Sequence, residues 1–182
     1  SMSKRIHLIY TYSVALLVVV FGLTLSGRAH SESVTELSVM TFTVWVGGSN
    51  VADGLNKIVT AIEQSEADIV ALQESNGVAA QAAQQLGWYS YQPASSVAIL
   101  SRYPISETFP PTLNNAGAGA RIQLSADPPQ DIIFWNSHLT AYPYGPYQAC
   151  FDGTSVNRIL RSQRRVQLKE MNSILNALEP YL

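Results

Sequence analysis

The sequence predicts an α/β protein with mixed β-structure, and three observations carry that prediction. The first half alternates strand-like and helix-like hydrophobic periods in the order strand, helix, strand, helix. The second half turns to short apolar runs separated by Pro and Gly, a pattern that suits hairpins better than crossover connections. The chain then closes on a long helical stretch, where a further strand would be expected.

From Leu37 to Val46 short polar residues alternate with bulky apolar ones, which describes a strand with one dry face, and Gly47 and Gly48 end it. Leu55, Ile58, Val59 and Ile62 recur at i, i+3, i+4 and i+7, placing an amphipathic helix from about Asp53 to Gln64. Asp68 opens a second strand, Ile69 to Gln73, whose unbroken apolar run suits burial on both faces, and Glu74 ends it. A helix from Val78 to Leu86 is stopped by Gly87. Short strands follow at Val97 to Leu100, Ile105 to Phe109, Arg121 to Leu124 and Ile132 to Ser137. A Pro/Tyr-rich loop from Ala141 to Gly153 leads to a helix from Val156 to about Leu178, with Ser155 as N-cap.

Only 13% of the 182 residues are charged and 47% are apolar, which excludes a disordered chain and a polybasic nucleic-acid arm. Lys4 and Arg5 precede an apolar run from Leu8 to Leu25, and Gly27-Arg28-Ala29 puts small residues at −3 and −1 of a cleavage site before His30. Residues 1–29 are therefore expected to be a signal peptide and residues 30–182 a secreted, extracellular domain. The other reading is a single-pass membrane anchor, because 18 residues approach the length of a spanning helix. Without that segment, 8 basic residues face 13 acidic ones, a formal charge of −5. The remaining 153 residues suffice for one domain with a real core. Cys150 is the single cysteine of a chain expected in an oxidising compartment, and its partner, if any, is not in the sequence.

Two residues stand where chemistry gathers. Glu74 follows a buried strand directly, so its carboxylate is carried to a sheet edge, where hard cations find oxygen ligands. His138 follows Trp135-Asn136-Ser137 at the end of another strand, and an imidazole can exchange a proton near neutral pH or donate to a phosphate. Beyond His30 no second histidine occurs, which excludes a histidine-based zinc cluster, and neither Gly-x-Ser-x-Gly nor a Cys/His signature supplies a protein nucleophile.

Taken together, MTFTVW (Met40 to Trp45), ADIVALQE (Ala67 to Glu74), AILSRYPI (Ala98 to Ile105) and WNSHL (Trp135 to Leu139) occur in an order that resembles the endonuclease/exonuclease/phosphatase family. The resemblance implies a four-layer α/β sandwich, two mixed sheets packed face to face with helices outside, present here without its C-terminal part. It implies magnesium-dependent hydrolysis of phosphate mono- or diesters, with Glu74 holding the metal and His138 contacting the scissile phosphate. Arg102, within the family-like LSRYPI, is a candidate substrate contact, and a turn-anchoring surface cation is the other reading. Tyr142, with Tyr144 and Tyr147, is a candidate rim for substrate, although turn packing by Pro143 and Pro146 accounts for the loop as well.

The chain departs from the family pattern in two places. Thr43 stands where the first motif has asparagine, so an amide near the metal is replaced by one hydroxyl. The later G-D-x-N and S-D-H motifs, whose residues activate the attacking water, have no counterpart after Leu139. Asp152 falls in a loop and Glu170 and Glu179 on the long helix, so none is expected to take over that task. The expectation is thus a domain that hydrolyses phosphate esters in its complete form, while this chain is truncated and inactive. The alternative is a non-catalytic secreted or membrane-tethered domain that binds a phosphate ligand. Arg158, Arg161 and Arg165 form a basic stripe on the last helix, but the acidic balance gives no strong nucleic-acid signature, and a membrane enters only through an uncleaved N-terminus.

Overall fold

The computed structural model describes residues 36–182. The expected targeting segment, 1–29, lies outside the described residues. The strands are β1 (Val39–Thr43), β2 (Ile69–Gln73), β3 (Tyr89–Tyr91), β4 (Val97–Ser101), β5 (Ile105–Phe109), β6 (Gly117–Ala126) and β7 (Pro129–Ser137). The α-helices are α1 (Gly54–Ser65), α2 (Ala79–Leu86), α3 (Gly145–Cys150) and α4 (Val156–Leu178).

One sheet has the order β1-β2-β4-β3 and the other β5-β6-β7. In the first, β1 and β2 run parallel, as a strand–helix–strand unit dictates, while β4 is antiparallel to both β2 and β3, so the sheet is mixed. The second is antiparallel throughout its described pairs, as the hairpin reading requires, so only one of the two expected mixed sheets is mixed.

Side-chain alternation explains the layers. Val70 and Leu72 of β2 and Ala98 and Leu100 of β4 point outward into a core closed by Ile58, Val59 and Ile62 of α1 and Ala79, Ala82 and Ala83 of α2. Ile69 and Ile99, on the opposite face, meet Ala120, Ile122 and Leu124 of β6 between the sheets. Every residue of β2 and β4 is consequently buried. On the outer face of the second sheet, Ile174 of α4 lies against Gly117. Helices, sheet, sheet and helix thus make four layers, as expected.

β2, β5 and α4 have the expected limits. β1 is shorter than Leu37 to Val46, because Trp45 and Val46 leave the strand with left-handed backbone angles. β3 was not expected: three residues after Gly87 contain no full alternation, and pairing with β4 alone makes them a strand. β6 and β7 form a longer hairpin than the sequence signals, because the small residues of Gly117-Ala-Gly-Ala carry little strand propensity of their own. They are held by packing: Trp135 lies over Gly119, and a Cβ at 119 would run into its indole. α3 forms within the expected Pro/Tyr-rich loop, with Pro146 in its first turn, where the missing N–H costs no hydrogen bond.

Candidate active site

Parallel pairing brings the carboxyl ends of β1 and β2 to one edge of the molecule, and β7 of the other sheet ends beside them. Glu74 leaves β2 with φ 55°, its N–H donating to the Ser96 carbonyl oxygen at 2.8 Å. The Glu74 carbonyl oxygen accepts the Gly47 N–H at 2.7 Å, and its Oε2 accepts the Val46 N–H at 3.2 Å. Gly47, at φ 63°, is required there: a Cβ would lie 2.9 Å from the Ser75 carbonyl oxygen. His138 leaves β7 with its N–H on the Ala116 carbonyl oxygen at 2.7 Å.

These turns bring His138 Nε2 to 3.9 Å from Glu74 Oε1. That is too long for a direct hydrogen bond, so the two groups stand close together without being locked to each other. Both side chains are about one third exposed and line a cleft of about 800 Å³ with Ser96, Asn114, Tyr142 and Asp152. Left-handed backbone at Val46, Glu74 and Asn114 surrounds it. For residues other than glycine such angles cost about 1–3 kcal/mol each and concentrate where function demands a fixed side chain.

Beneath the pair lies a buried polar lock between the sheets. Asn136, 2% exposed, donates to the carbonyl oxygens of Leu72 at 2.7 Å and Ala98 at 2.8 Å, and its Oδ1 accepts the Gln73 amide at 2.7 Å. Gln73 immediately precedes Glu74, and Asn136 lies two residues before His138, so one side-chain hydrogen bond fixes the separation of the two strand ends. Thr43 Oγ1 donates to Gln73 Oε1 at 3.2 Å. The hydroxyl at this altered family position therefore belongs to the lock.

A second support comes from α4. Ile159, Gln163, Gln167, Glu170 and Ile174 are spaced by four or three residues and form its inward face. Gln163 Nε2 donates to the carbonyl oxygens of Ala141 and Pro143, and Gln167 Nε2 donates to that of Thr140 at 3.0 Å. Glu170, fully buried, accepts from the Thr140 N–H at 2.8 Å, from the Thr140 hydroxyl, and from Asn114 Nδ2 at 2.9 Å. Burial alone pushes this carboxyl up, but the Thr140 hydroxyl, Asn114 and the Thr140 N–H together hold it below the usual glutamate range.

The structure therefore brings Glu74, His138 and Tyr142 into one cleft and leaves Arg102 out. Arg102 sits beyond the opposite end of β2, with Nε donating to the Ala67 carbonyl oxygen at 3.0 Å and lying 3.7 Å from an Asp68 carboxylate oxygen. Its guanidinium covers the Trp88 ring at 5.1 Å. A five-residue strand separates that end from Glu74, about 17 Å at 3.3 Å per residue, so Arg102 anchors a turn and does not reach the cleft. Asp152 is in a loop, as expected, but that loop returns to the cleft, which the sequence did not show. The Arg158, Arg161 and Arg165 stripe is exposed and lines no part of it.

The sequence profile of the endonuclease/exonuclease/phosphatase family matches residues 40–180. The chain belongs to this family. Its members are generally metal-dependent phosphoesterases and nucleases. A Caenorhabditis elegans protein described as Uncharacterized protein F14F9.5 is 32% identical over 142 residues, covering 74% of this chain and 44% of that protein. The chain thus spans less than half the length of this relative. Among solved structures, an endonuclease/exonuclease/phosphatase family protein from Leptotrichia buccalis C-1013-b superposes with a TM-score of 0.44 at 14% identity, over 70% of this chain and 60% of that one. Truncated Caenorhabditis elegans TDP2 gives 0.45 at 17% identity, over 69% and 57%.

Of the residues missed by sequence reasoning, Gln73, Asn136 and Glu170 carried a signal. Gln73 and Asn136 are polar residues at the inward-facing ends of apolar strands, and Glu170 lies on the apolar stripe of a helix. Ser96 and Asn114 carried none, since only the packing of the two sheets brings their loops to the cleft.

Proposed function

We propose that the chain is an exported, magnesium-dependent phosphoesterase domain in which Glu74 holds the ion and His138 donates to the phosphate. The observation that carries this reading is the 3.9 Å approach of Glu74 and His138 at strand ends from two different sheets, within one cleft. Among the described residues no three His, Cys, Asp or Glu side chains cluster as a dedicated metal cage. A single carboxylate in an open, oxygen-lined cleft suits magnesium, which keeps several waters and takes its remaining ligands from substrate phosphate. When bound, the ion would polarise a phosphoryl oxygen and offset charge developing on the ester.

The chain's own residues orient and donate. The Val46 N–H holds one Glu74 oxygen and leaves the other toward His138. The Gln73–Asn136 lock sets the spacing of both strand ends, and Glu170 fixes Thr140 two residues beyond His138. Among the described residues Asp152 is the other carboxylate that lines the cleft, and it is the candidate to accept a proton from attacking water.

A second reading, a non-catalytic domain that binds a phosphate ligand, is favoured by Thr43, whose hydroxyl is turned to Gln73. Magnesium-dependent cleavage of bis(p-nitrophenyl) phosphate separates the two. Turnover lost in both Glu74→Gln and His138→Ala supports the enzyme. Phosphate binding without turnover selects the second reading, and turnover that survives both substitutions overturns the site.

A further inference from the structure

We propose that the cleft selects phosphate esters bearing one planar aromatic ring and no further negative charge. This rests on the reading of Glu74 and His138 as the phosphate end. The cleft is also lined by aromatic rings, those of Tyr142, Tyr144 and Tyr147, and Tyr142 is 80% exposed. Large rings left this open in a short segment mark a binding surface, since each wets apolar area that packing would otherwise remove.

The wall is built to be rigid. Gln163 grips the backbone on both sides of Tyr142 through the Ala141 and Pro143 carbonyl oxygens, so the ring is offered from a fixed loop. Tyr144, Tyr147 and Phe151 lean on one another in sequence, with ring centroids 5.6 and 5.2 Å apart and interplanar angles of 55° and 44°. Tyr144 and Tyr147 of this series line the cleft, and the tilted ring contacts hold them in place. Tyr142 is left as a single open platform, the geometry for offset stacking of one ring.

Charge excludes the longer ligands. The cleft carries the carboxylates of Glu74 and Asp152, and no Lys or Arg is among the described residues that line it. One phosphate is met by His138 and a bound cation. A second or third would find no counter-charge and would face Asp152, so a polyanionic backbone or a polyphosphate is disfavoured.

The test is calorimetric titration of the full chain, at fixed magnesium concentration, with methyl phenyl phosphate and with dimethyl phosphate, which differ only in the ring. The phenyl ester is expected to bind about two- to thirteenfold more tightly, the range that one ring stacking supplies. Tyr142→Ala should remove most of that preference, and His138→Ala should weaken both esters while preserving their ratio. Equal affinities, or a preference intact in Tyr142→Ala, overturn the inference and leave the phosphate site standing. Tighter binding of the methyl diester of phosphocholine than of methyl phenyl phosphate overturns it in favour of a cation site. Failure of the wild-type chain to bind either ester overturns the phosphate site and this inference with it.

Discussion

Glu74 and His138 acquire their relation from residues that never face the cleft. Asn136 satisfies two carbonyl groups of the other sheet and the Gln73 amide in a region closed to water. Asn136→Ala takes its donors from the Leu72 and Ala98 carbonyl groups, while the Gln73 amide keeps Thr41 and Ala71 as acceptors, and is expected to cost about 2–3 kcal/mol, with a fall in phosphate binding beyond what lost stability explains. Denaturant unfolding set beside ligand titration checks both parts. Glu170 is the titrating support. Its folded-state pKa is depressed, so its contribution is present at neutral pH and is lost as pH falls through and below the usual glutamate range. Melting temperatures measured from neutral to acid pH should fall across that window in the wild type and change less in Glu170→Gln, which would start lower at neutral pH. Parallel curves for the two proteins would show that Glu170 does not supply the acid sensitivity.

Helix α4 divides its labour between two faces. Gln163, Gln167 and Glu170 turn inward and hold the loop that follows His138, while the arginines stay in solvent. Arg161→Ala should therefore leave phosphate-ester affinity unchanged, whereas Gln163→Ala should lower it severalfold by freeing the carbonyl oxygens on either side of Tyr142; calorimetry on the two variants decides. The β6–β7 hairpin depends on a close approach in the same way that α4 depends on its polar stripe. Gly119→Ala drives a methyl group into the Trp135 ring and is expected to destabilise the protein by about 1–3 kcal/mol, read as a lower denaturation midpoint at unchanged slope.

Across the molecule, charge and site are separated. The arginines 158, 161, 164 and 165 lie exposed along α4, while the cleft holds carboxylates, tyrosines and one histidine. Nucleic acid is therefore expected to bind weakly and through salt-sensitive contacts with α4. A 20-nucleotide single strand followed by fluorescence anisotropy should show a Kd weaker than about 10⁻⁵ M at 0.15 M salt. Removing the arginines should weaken that binding further, and His138→Ala should leave it unchanged. Tight, salt-resistant binding abolished by His138→Ala would reverse this assignment.

The sequence by itself determined the alternation of strand and helix, the limits of β2, β5 and α4, and the family, because each is written in local periodicity or in a contiguous motif. It also placed Glu74 and His138 at strand ends, because each lies at the close of a strand-like segment within a family-like motif. Only the tertiary structure decided what those ends face. Arg102 and Glu74 follow strands that run in opposite directions through one sheet, β4 and β2, so antiparallel pairing sends them to opposite ends although both sit in family-like segments. Asp152, Ser96 and Asn114 reach the cleft by loop closure, and β3 exists because β4 offers it a partner. These features depend on contacts between residues far apart in the chain, and such contacts leave no period in the sequence.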